Sequence, residues 1–515
     1  MKKFYVTTPI YYVNDVPHIG HLYTTVIADV MARWKRLNGF EVFFLTGTDE
    51  HGAKLINTIH NTNRYALQNF CNKMSAKFKE TWNLLNISYT DFIRTTEYRH
   101  YVAVSSVVNQ LFKKGLLFLK EYTGLYCVGC ERFYTVKDLD ENQCCLLHKK
   151  KLLVQSEKNY FFKLSHFKDM LLERITNSKH SEYIDIQPEE RKKEIIGKLN
   201  LGLDDISFSR TNINWGIPIP FDKTQTVYVW VDALINYLSG IGYPNNKDKF
   251  QHYWPTDIHF MAKDILWFHA VIWPAILMGI GYPLPKTIYS HGFFTCNGDK
   301  MSKSLNNVIS PQYLVNKYGI DATRYLIINL IPFNTDGDIS LIDLTVKYNT
   351  DLANNLGNLF FRIIKMIERY FNLNLPYVNK PNISLAQKLS TYFKINFCNN
   401  INNVKLQKAL NTLQHGLSFV NKQIEIDSPW LLYKNNIGSL NLCISSYLQA
   451  IAIIAIHIFP FMPTVSQIMW TSICANGNIA NVATQYFINN SIIPETGFLP
   501  IYGKVKMPGI LFPRL

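Results

Sequence analysis

The first fifty residues constrain the fold most. A β-prone run at residues 3–7 is followed by an apolar series, and a second β-prone run occupies 41–45. Between them, Leu22, Val26, Val30, Trp34 and Leu37 recur at helical spacing, which predicts an amphipathic helix. Gly39 stands where that helix should stop, because glycine tolerates the left-handed backbone of a helix end. Strand, helix and strand in succession imply a parallel pair with a right-handed crossover. Ligands of such sheets bind outside the carboxyl ends of the strands. Residues 5–14 and 46–52 are therefore expected to line a site.

At 515 residues the chain is too long for one ordinary core. Its 47% hydrophobic and 18% charged residues describe a globular protein and exclude a disordered one. Lys and Arg outnumber Asp and Glu by 53 to 38, a formal charge of +15, which favours a polyanion as substrate or partner. The nine cysteines are mostly scattered, so a disulfide scaffold is not expected. Met1-Lys2-Lys3 leads at once into a β-prone run with no small-residue cleavage site, so no signal peptide is expected. Two apolar stretches, 265–281 and 451–462, are read as buried helices and not as membrane spans. The first contains His269 and Pro274, and the second is shorter than a span requires. The chain is expected to be cytoplasmic, with no membrane partner.

Near Gly115 the texture changes. Cys127, Cys130, Cys144, Cys145 and His148 gather there, before the basic run 149–151, and the stretch closes near Trp215-Gly216-Ile217-Pro218. Strand and helix patterns resume at 226–231 and 258–262, and 287–296 reads as a strand entering a polar loop. From about 341 the pattern is helical. The expected division is a parallel-sheet α/β domain in two halves, 1–115 and 226–340, an inserted domain at 116–225, and an all-α domain at 341–515.

Two motifs bear on phosphate chemistry. His18-Ile19-Gly20-His21 falls where the first strand hands over to the helix. Imidazoles at a helix start can donate to phosphate oxygens beside the free backbone N–H groups, and Gly20 lets a flat ring approach the backbone. The alternative is a helix-start turn with two solvated histidines. Lys300-Met301-Ser302-Lys303-Ser304 places two lysines three apart on a polar loop. Such a loop suits the charge of a departing pyrophosphate; the alternative is a solvated basic loop. Neither a P-loop nor a Gly-x-Gly-x-x-Gly fingerprint is present, which excludes the usual NTPase and dinucleotide sites. Cys127-x-x-Cys130 with Cys145-x-x-His148 has the spacing of a tetrahedral, structural Zn²⁺ site. Cys145 is preferred over the adjacent Cys144 because it completes Cys-x-x-His.

The two phosphate motifs, in this order, resemble those of the class I aminoacyl-tRNA synthetases. The chain is more closely similar to the methionyl family of short bacterial type, almost end to end. Thr8-Pro9-Ile10-Tyr11-Tyr12-Val13-Asn14, Thr46-Gly47-Thr48-Asp49-Glu50-His51-Gly52, Tyr228-Val229-Trp230-Val231-Asp232-Ala233, Lys263-Asp264-Ile265 and Leu352-Ala353-Asn354-Asn355-Leu356-Gly357-Asn358 carry the resemblance. It implies a Rossmann-like catalytic domain, a zinc-knuckle insert and a helical anticodon-binding domain. It implies a two-step reaction: ATP and methionine form methionyl-adenylate and pyrophosphate, and a tRNA ribose hydroxyl then takes the methionyl group.

In that scheme His18, His21, Lys300 and Lys303 contact the ATP phosphates, Gly20 and Ser302 belong to the ATP site, and Mg²⁺ accompanies the triphosphate. The methionine pocket would use Ile10, Tyr12, Asp49, Trp230, Ala233, Tyr237, Ile265, His269 and Trp273, with Asp49 facing the α-ammonium group. A thioether is recognised by shape and aromatic contact. Ile265, His269 and Trp273 share one helix face; without the resemblance that stripe reads as core. Leu234 is left unassigned. Asn354, Asn358, Arg362 and Trp430 would read the CAU anticodon of tRNA(Met). Longer relatives append a dimerising module, so a monomer is expected. The insert is small for the editing insertions of the isoleucyl, valyl and leucyl enzymes. A non-catalytic tRNA-binding paralogue is the alternative of a different class, and both intact phosphate motifs speak against it.

Overall fold

The computed structural model describes the chain except residues 1, 60–62, 128–131, 135–138, 146–150, 212, 297–298, 301–308 and 331–334; for 132–134, 155, 296, 299–300 and 330 it describes the backbone alone. Strand β1 (Lys3–Tyr12), helix α1 (Ile19–Leu37) and strand β2 (Glu41–Asp49) form the opening unit. The strands pair in parallel from Lys3↔Glu41 to Tyr12↔Asp49. Both run beyond the expected ends at Thr7 and Leu45. The ladder shifts register between Thr7 and Ile10, which carries it past Pro9, a residue with no N–H to donate. Gly39 closes the helix at φ +76°, and its N–H donates to the Arg36 carbonyl at 3.0 Å.

Strand side chains alternate between two faces. Phe4, Val6, Val42 and Phe44 enter one core with α1, whereas Tyr5, Phe43 and Leu45 enter a second. The main sheet has the order β3 (Asp91–Arg94), β2, β1, Ile258–Ala262, Thr287–His291, Asp185–Gln187, and every pair is parallel. The last strand lies inside the stretch expected to be a separate insert. Ile186 pairs with Ile288, and both are buried in the second core, so this short segment belongs to the main sheet. The neighbouring part of the stretch forms its own sheet, with Leu117–Cys127 antiparallel to Leu153–Phe162 from Leu117↔Phe162 to Tyr126↔Leu153. Phe294–Cys296 sits between Asp299–Lys300 and Gly337–Asp338 in a third, small sheet.

The stretch 265–281 is buried, as expected, but it is not one regular helix. A π-helical turn, Phe268–Ile272, precedes the α-helix Trp273–Ile280. The first eight residues of the second apolar stretch, 451–458, end a longer helix, Ile437–Ile458, whose 22 residues are enough to cross a membrane. The expectation that it is too short therefore needs correction. The apolar run omits the residues before Ile451 that extend the helix, Ser445, Ser446 and Gln449 among them. Its most apolar window is 78% buried among the other helices, as in the centre of a helical bundle.

The helices from Leu341 onward continue the core of α1. The Trp34 indole N–H donates to Asn402 Oδ1 at 2.8 Å, and its ring lies 4.7 Å from that of Phe487. Arg324, fully buried, donates to Asp29 on α1 at 2.6 Å and to the carbonyls of Pro460 and Phe461 at 3.1 and 2.9 Å.

Candidate active site

The carboxyl ends of four neighbouring parallel strands converge. Tyr12, Asp49, Ala262 and His291 end β1, β2, Ile258–Ala262 and Thr287–His291, and all four line one cavity of about 370 Å³. His18, Gly20 and His21, from the start of α1, line it too, as do Ile10, Trp230 and Ile265. A smaller cavity of about 40 Å³ shares Ile10, Asp49, Trp230 and Ile265 and adds Ala233, Tyr237 and His269.

His18 is the N-cap of α1. Its Nδ1 accepts from the Gly20 N–H at 3.1 Å, while His21 Nδ1 accepts from the His18 N–H at 3.3 Å. This is the reciprocal arrangement of a capping box, made with two imidazoles. Because each Nδ1 is an acceptor, each neutral ring carries its proton on Nε2. The rings stack at 3.8 Å. Burial lowers the pKa of both, that of His21 well below the usual imidazole value and further through His18. A Cβ on Gly20 would lie 3.0 Å from His18 Cε1. The flat ring that Gly20 admits is thus, in this structure, the His18 imidazole.

At the apolar end, the Tyr237 hydroxyl donates to His269 Nε2 at 2.7 Å, and His269 Nδ1–H donates to the Ile265 carbonyl at 2.9 Å. Burial pushes His269 down to about 4, so it is neutral at physiological pH. Trp230 stacks on Phe268 at 4.7 Å. The Tyr12 hydroxyl donates to the His51 carbonyl at 2.8 Å. Trp273 is fully buried with its ring 5.9 Å from that of Tyr237, and it lines neither cavity. Asp49 lies in both linings, between the imidazole and apolar ends.

Several lining residues were not singled out from sequence. His291 Nδ1–H donates to the Gly292 carbonyl at 2.8 Å, and its Nε2 accepts from the Thr24 hydroxyl at 2.6 Å. This joins a strand end to the first turns of α1. Thr24, His291, Gly292, Phe293 and Phe294 all line the larger cavity. The signal was partial: residues 287–296 read as a strand entering a polar loop, and parallel sheets place their ligands at strand ends, but the observed strand stops at His291, inside that stretch. Leu234 and Asn236 line the smaller cavity.

The family described as tRNA synthetases class I (M) matches residues 4–141 and 135–364. The methionine–tRNA ligase of Thermotoga maritima is 40% identical over 476 residues, spanning 90% of this chain and 74% of its own length. That of Streptomyces coelicolor is 37% identical over 540 residues, spanning 100% and 97%. The Mycobacterium tuberculosis methionyl-tRNA synthetase in complex with methionyl-adenylate superposes with a TM-score of 0.90 at 33% identity, covering 100% of both chains. This chain belongs to the methionyl-tRNA synthetase family. The free-state structure of the same Mycobacterium tuberculosis synthetase superposes with a TM-score of 0.85.

The remaining residues expected of a methionyl-tRNA synthetase lie elsewhere. Lys300 ends the short strand Asp299–Lys300, which runs antiparallel to Phe294–Cys296 with Lys300 paired to Thr295. Ser302 and Lys303 lie outside the described residues, as do Cys130 and His148. Cys127 and Cys145 are buried together, with Leu139 and Leu152 against them. The Cys144 thiol instead donates to the Asn142 carbonyl at 3.6 Å. Two buried thiols, one ending the strand Leu117–Cys127 and one in the bridge Leu139↔Cys145, fit a thiolate metal site. Among the described residues, no three His, Cys, Asp or Glu side chains form a metal-holding group.

Asn354 lies on the π-helical segment Tyr348–Gly357, and Asn358 and Arg362 lie on the α-helix Asn358–Phe371 that continues it. Both asparagines are exposed. Arg362 donates to Glu425 at 2.6 Å, and its guanidinium lies 5.9 Å from the ring of Trp430, which is 41% exposed. Asn354 Oδ1 accepts from Arg514 at 2.8 Å. Arg362 and Trp430 are thus brought together from different helices.

Proposed function

We infer that the chain is a methionine–tRNA ligase that activates methionine with ATP and esterifies the terminal ribose of tRNA(Met). One observation carries the reading. A single chain lines a cavity that runs from a capped helix start with two imidazole donors to an apolar, aromatic chamber, and Asp49 is the carboxylate that both linings share. That is the order of groups in an aminoacyl-adenylate: phosphate, ammonium-bearing carbon, side chain.

The methionine carboxylate is ionised at neutral pH, so its attack on the ATP α-phosphorus needs no general base. Pyrophosphate leaves, and alignment and charge stabilisation supply the catalysis. His18 and His21 donate Nε2–H to phosphate oxygens. Lys300 and Lys303 offset the charge on the departing pyrophosphate, and Ser302 lies in their loop; Mg²⁺ enters with ATP. Gly20 lies in the nucleotide site, where its missing side chain leaves room for the His18 ring. Asp49 takes the α-ammonium group. Ile10, Tyr12, Trp230, Ala233, Tyr237, Ile265 and His269 enclose the thioether, and Trp273 backs Tyr237. In the second step the tRNA hydroxyl attacks the acyl carbonyl and AMP leaves.

Asn354, Asn358 and Arg362 hydrogen-bond the edges of anticodon bases, and Trp430 supplies a stacking face. The proximity of Arg362 and Trp430 supports that reading. The segments 1–115 and 226–340 act as the catalytic domain, 116–225 as the insert and 341–515 as the anticodon domain. Cys127, Cys130, Cys145 and His148 would hold one structural Zn²⁺, which would tie the turns of the insert together. The enzyme is read as a monomer, working in the cytoplasm with its tRNA.

Methionine-dependent ATP–pyrophosphate exchange tests the reading, with isoleucine, leucine, valine and cysteine as controls. Exchange with methionine alone is expected. Exchange with another amino acid would overturn the pocket assignment, and none at all would favour a binding paralogue. Metal analysis tests the knuckle: Cys145→Ser should lose its zinc and Cys144→Ser should keep it. The reverse outcome would reassign the ligand.

A further inference from the structure

Behind the two cavities lies a buried polar chain that the reaction above does not use. Asp232 Oδ2 is 2.7 Å from His51 Nδ1, and Asp232 Oδ1 is 2.8 Å from His100 Nε2. His100 Nδ1 is in turn 2.9 Å from the Ser239 hydroxyl. Asp232 and His100 are fully buried, and His51 is nearly so. None of the three side chains lines either cavity. Burial pushes the Asp232 carboxyl up, but the two imidazoles outweigh it and hold it at about 2. An ionised carboxylate only accepts, so each imidazole points an N–H at it.

The chain joins segments that come from different parts of the sequence. Asp232 lies between Trp230 and Ala233, which both line the chamber read as the methionine subsite. His51 lies two residues after Asp49, and its carbonyl accepts the Tyr12 hydroxyl. Strands β1 and β2 are thereby tied to the helix Val229–Leu234 through one carboxylate. A buried ionic group is weak evidence of stabilisation; its best-attested use is to specify register. Here the register in question is that of Asp49 and Tyr12 against Trp230 and Ala233. The imidazole end of the cavity, at His18 and His21, has no hydrogen bond to the chain among the described residues.

We propose that Asp232 is a positioning residue for the amino acid substrate: by holding His51 and His100 on its two oxygens, it sets the methionine chamber and leaves the ATP end unaffected. The proposal rests on reading that chamber as the methionine subsite, so the wild-type enzyme is measured first. Failure of methionine-dependent exchange there would overturn the function and the proposal with it.

With that exchange in hand, Asp232→Asn should raise the methionine KM by about tenfold or more. The ATP KM should stay within about twofold and kcat within about threefold. A purely structural role would move all three together. Equal rises in the two KM values, or an unchanged methionine KM, would overturn the proposal. If Asp232→Asn does not fold, His51→Gln decides by the same two criteria. Tyr12→Phe combined with either variant should add little to the methionine KM beyond the larger single effect, because both changes interrupt one chain. Full additivity would show that Tyr12 and Asp232 act separately and would overturn it.

Discussion

The imidazole end of the cavity and the face that carries Trp430 are built on opposite plans. His18 and His21 are partly buried, stacked on each other and already committed through Nδ1 to backbone N–H groups. Asn354, Asn358 and Trp430 stand in solvent, and Arg362 rests on Glu425, whose side chain is itself exposed. A group that stabilises developing charge must be in place beforehand, because reorganisation would add to the barrier. A group that reads bases must let them in, so its resting partners have to be exchangeable. Exposed ion pairs, worth ~0–1 kcal/mol, meet that condition.

The contrast can be broken most sharply at Lys303. Replacing it with alanine should slow pyrophosphate exchange by about 10²–10³-fold, as for loss of one transition-state donor, and leave the methionine KM nearly unchanged. A loss shared equally between KM and kcat would move it from the transition state to ground-state binding.

Acid comes next, and it should act on buried imidazoles in both halves alike. His269 and His291 in the catalytic half and His457 in the helical half are all held at about 4 by burial, below the usual imidazole value. His18 and His21 are lowered too. Between about pH 4 and 6.5 the unfolded chain binds protons at His269, His291 and His457 that the folded chain does not. Stability is therefore complete above about pH 6.5 and is lost as the pH falls through that window, by ~3 kcal/mol per imidazole at full effect. Thermal melts across the range read this directly. A flat midpoint would mean that the rings are not held neutral.

Trp430→Ala comes third. Stacking on a base is worth ~1–3 kcal/mol, so the KM for tRNA should rise by about 5–150-fold while exchange stays intact. Collapse of exchange as well would show that the two sites are not separable. The smallest effect sharpens the picture: Glu425→Gln frees Arg362 and should alter the KM for tRNA by less than about threefold. That difference should shrink further at high salt.

The opening unit was legible because its signals are local. The switch in apolar spacing from strand to helix around α1, and Gly39 after it, needs no distant partner. The strand extensions to Tyr12 and Asp49 were not legible, because a proline and polar residues interrupt the apolar runs. Asp185–Gln187 had no chance of being read: three residues carry no period, and only pairing with Thr287–Tyr289 makes them a strand. In the site, the letters of His18-Ile19-Gly20-His21 pointed to phosphate. They did not say that each imidazole first caps the helix, since a motif does not record what its Nδ1 faces. Ile265, His269 and Trp273 read as one stripe, yet Trp273 lies behind Tyr237 and away from both cavities.

What the sequence determined by itself is the family, the order of the motifs and the first helix with its stop. Each of these rests on neighbouring residues or on long matching strings. The tertiary structure alone decided which strand ends converge on the cavity, that His18 and His21 carry their protons on Nε2, and that Asp232 meets His51 and His100. Convergence depends on the pairing of β1 with Ile258–Ala262, where Val6 meets Ile258 from a distant part of the sequence. The charge on a side chain depends on how much water its surroundings exclude, and that is a property of the folded neighbourhood, which no single residue carries in its identity.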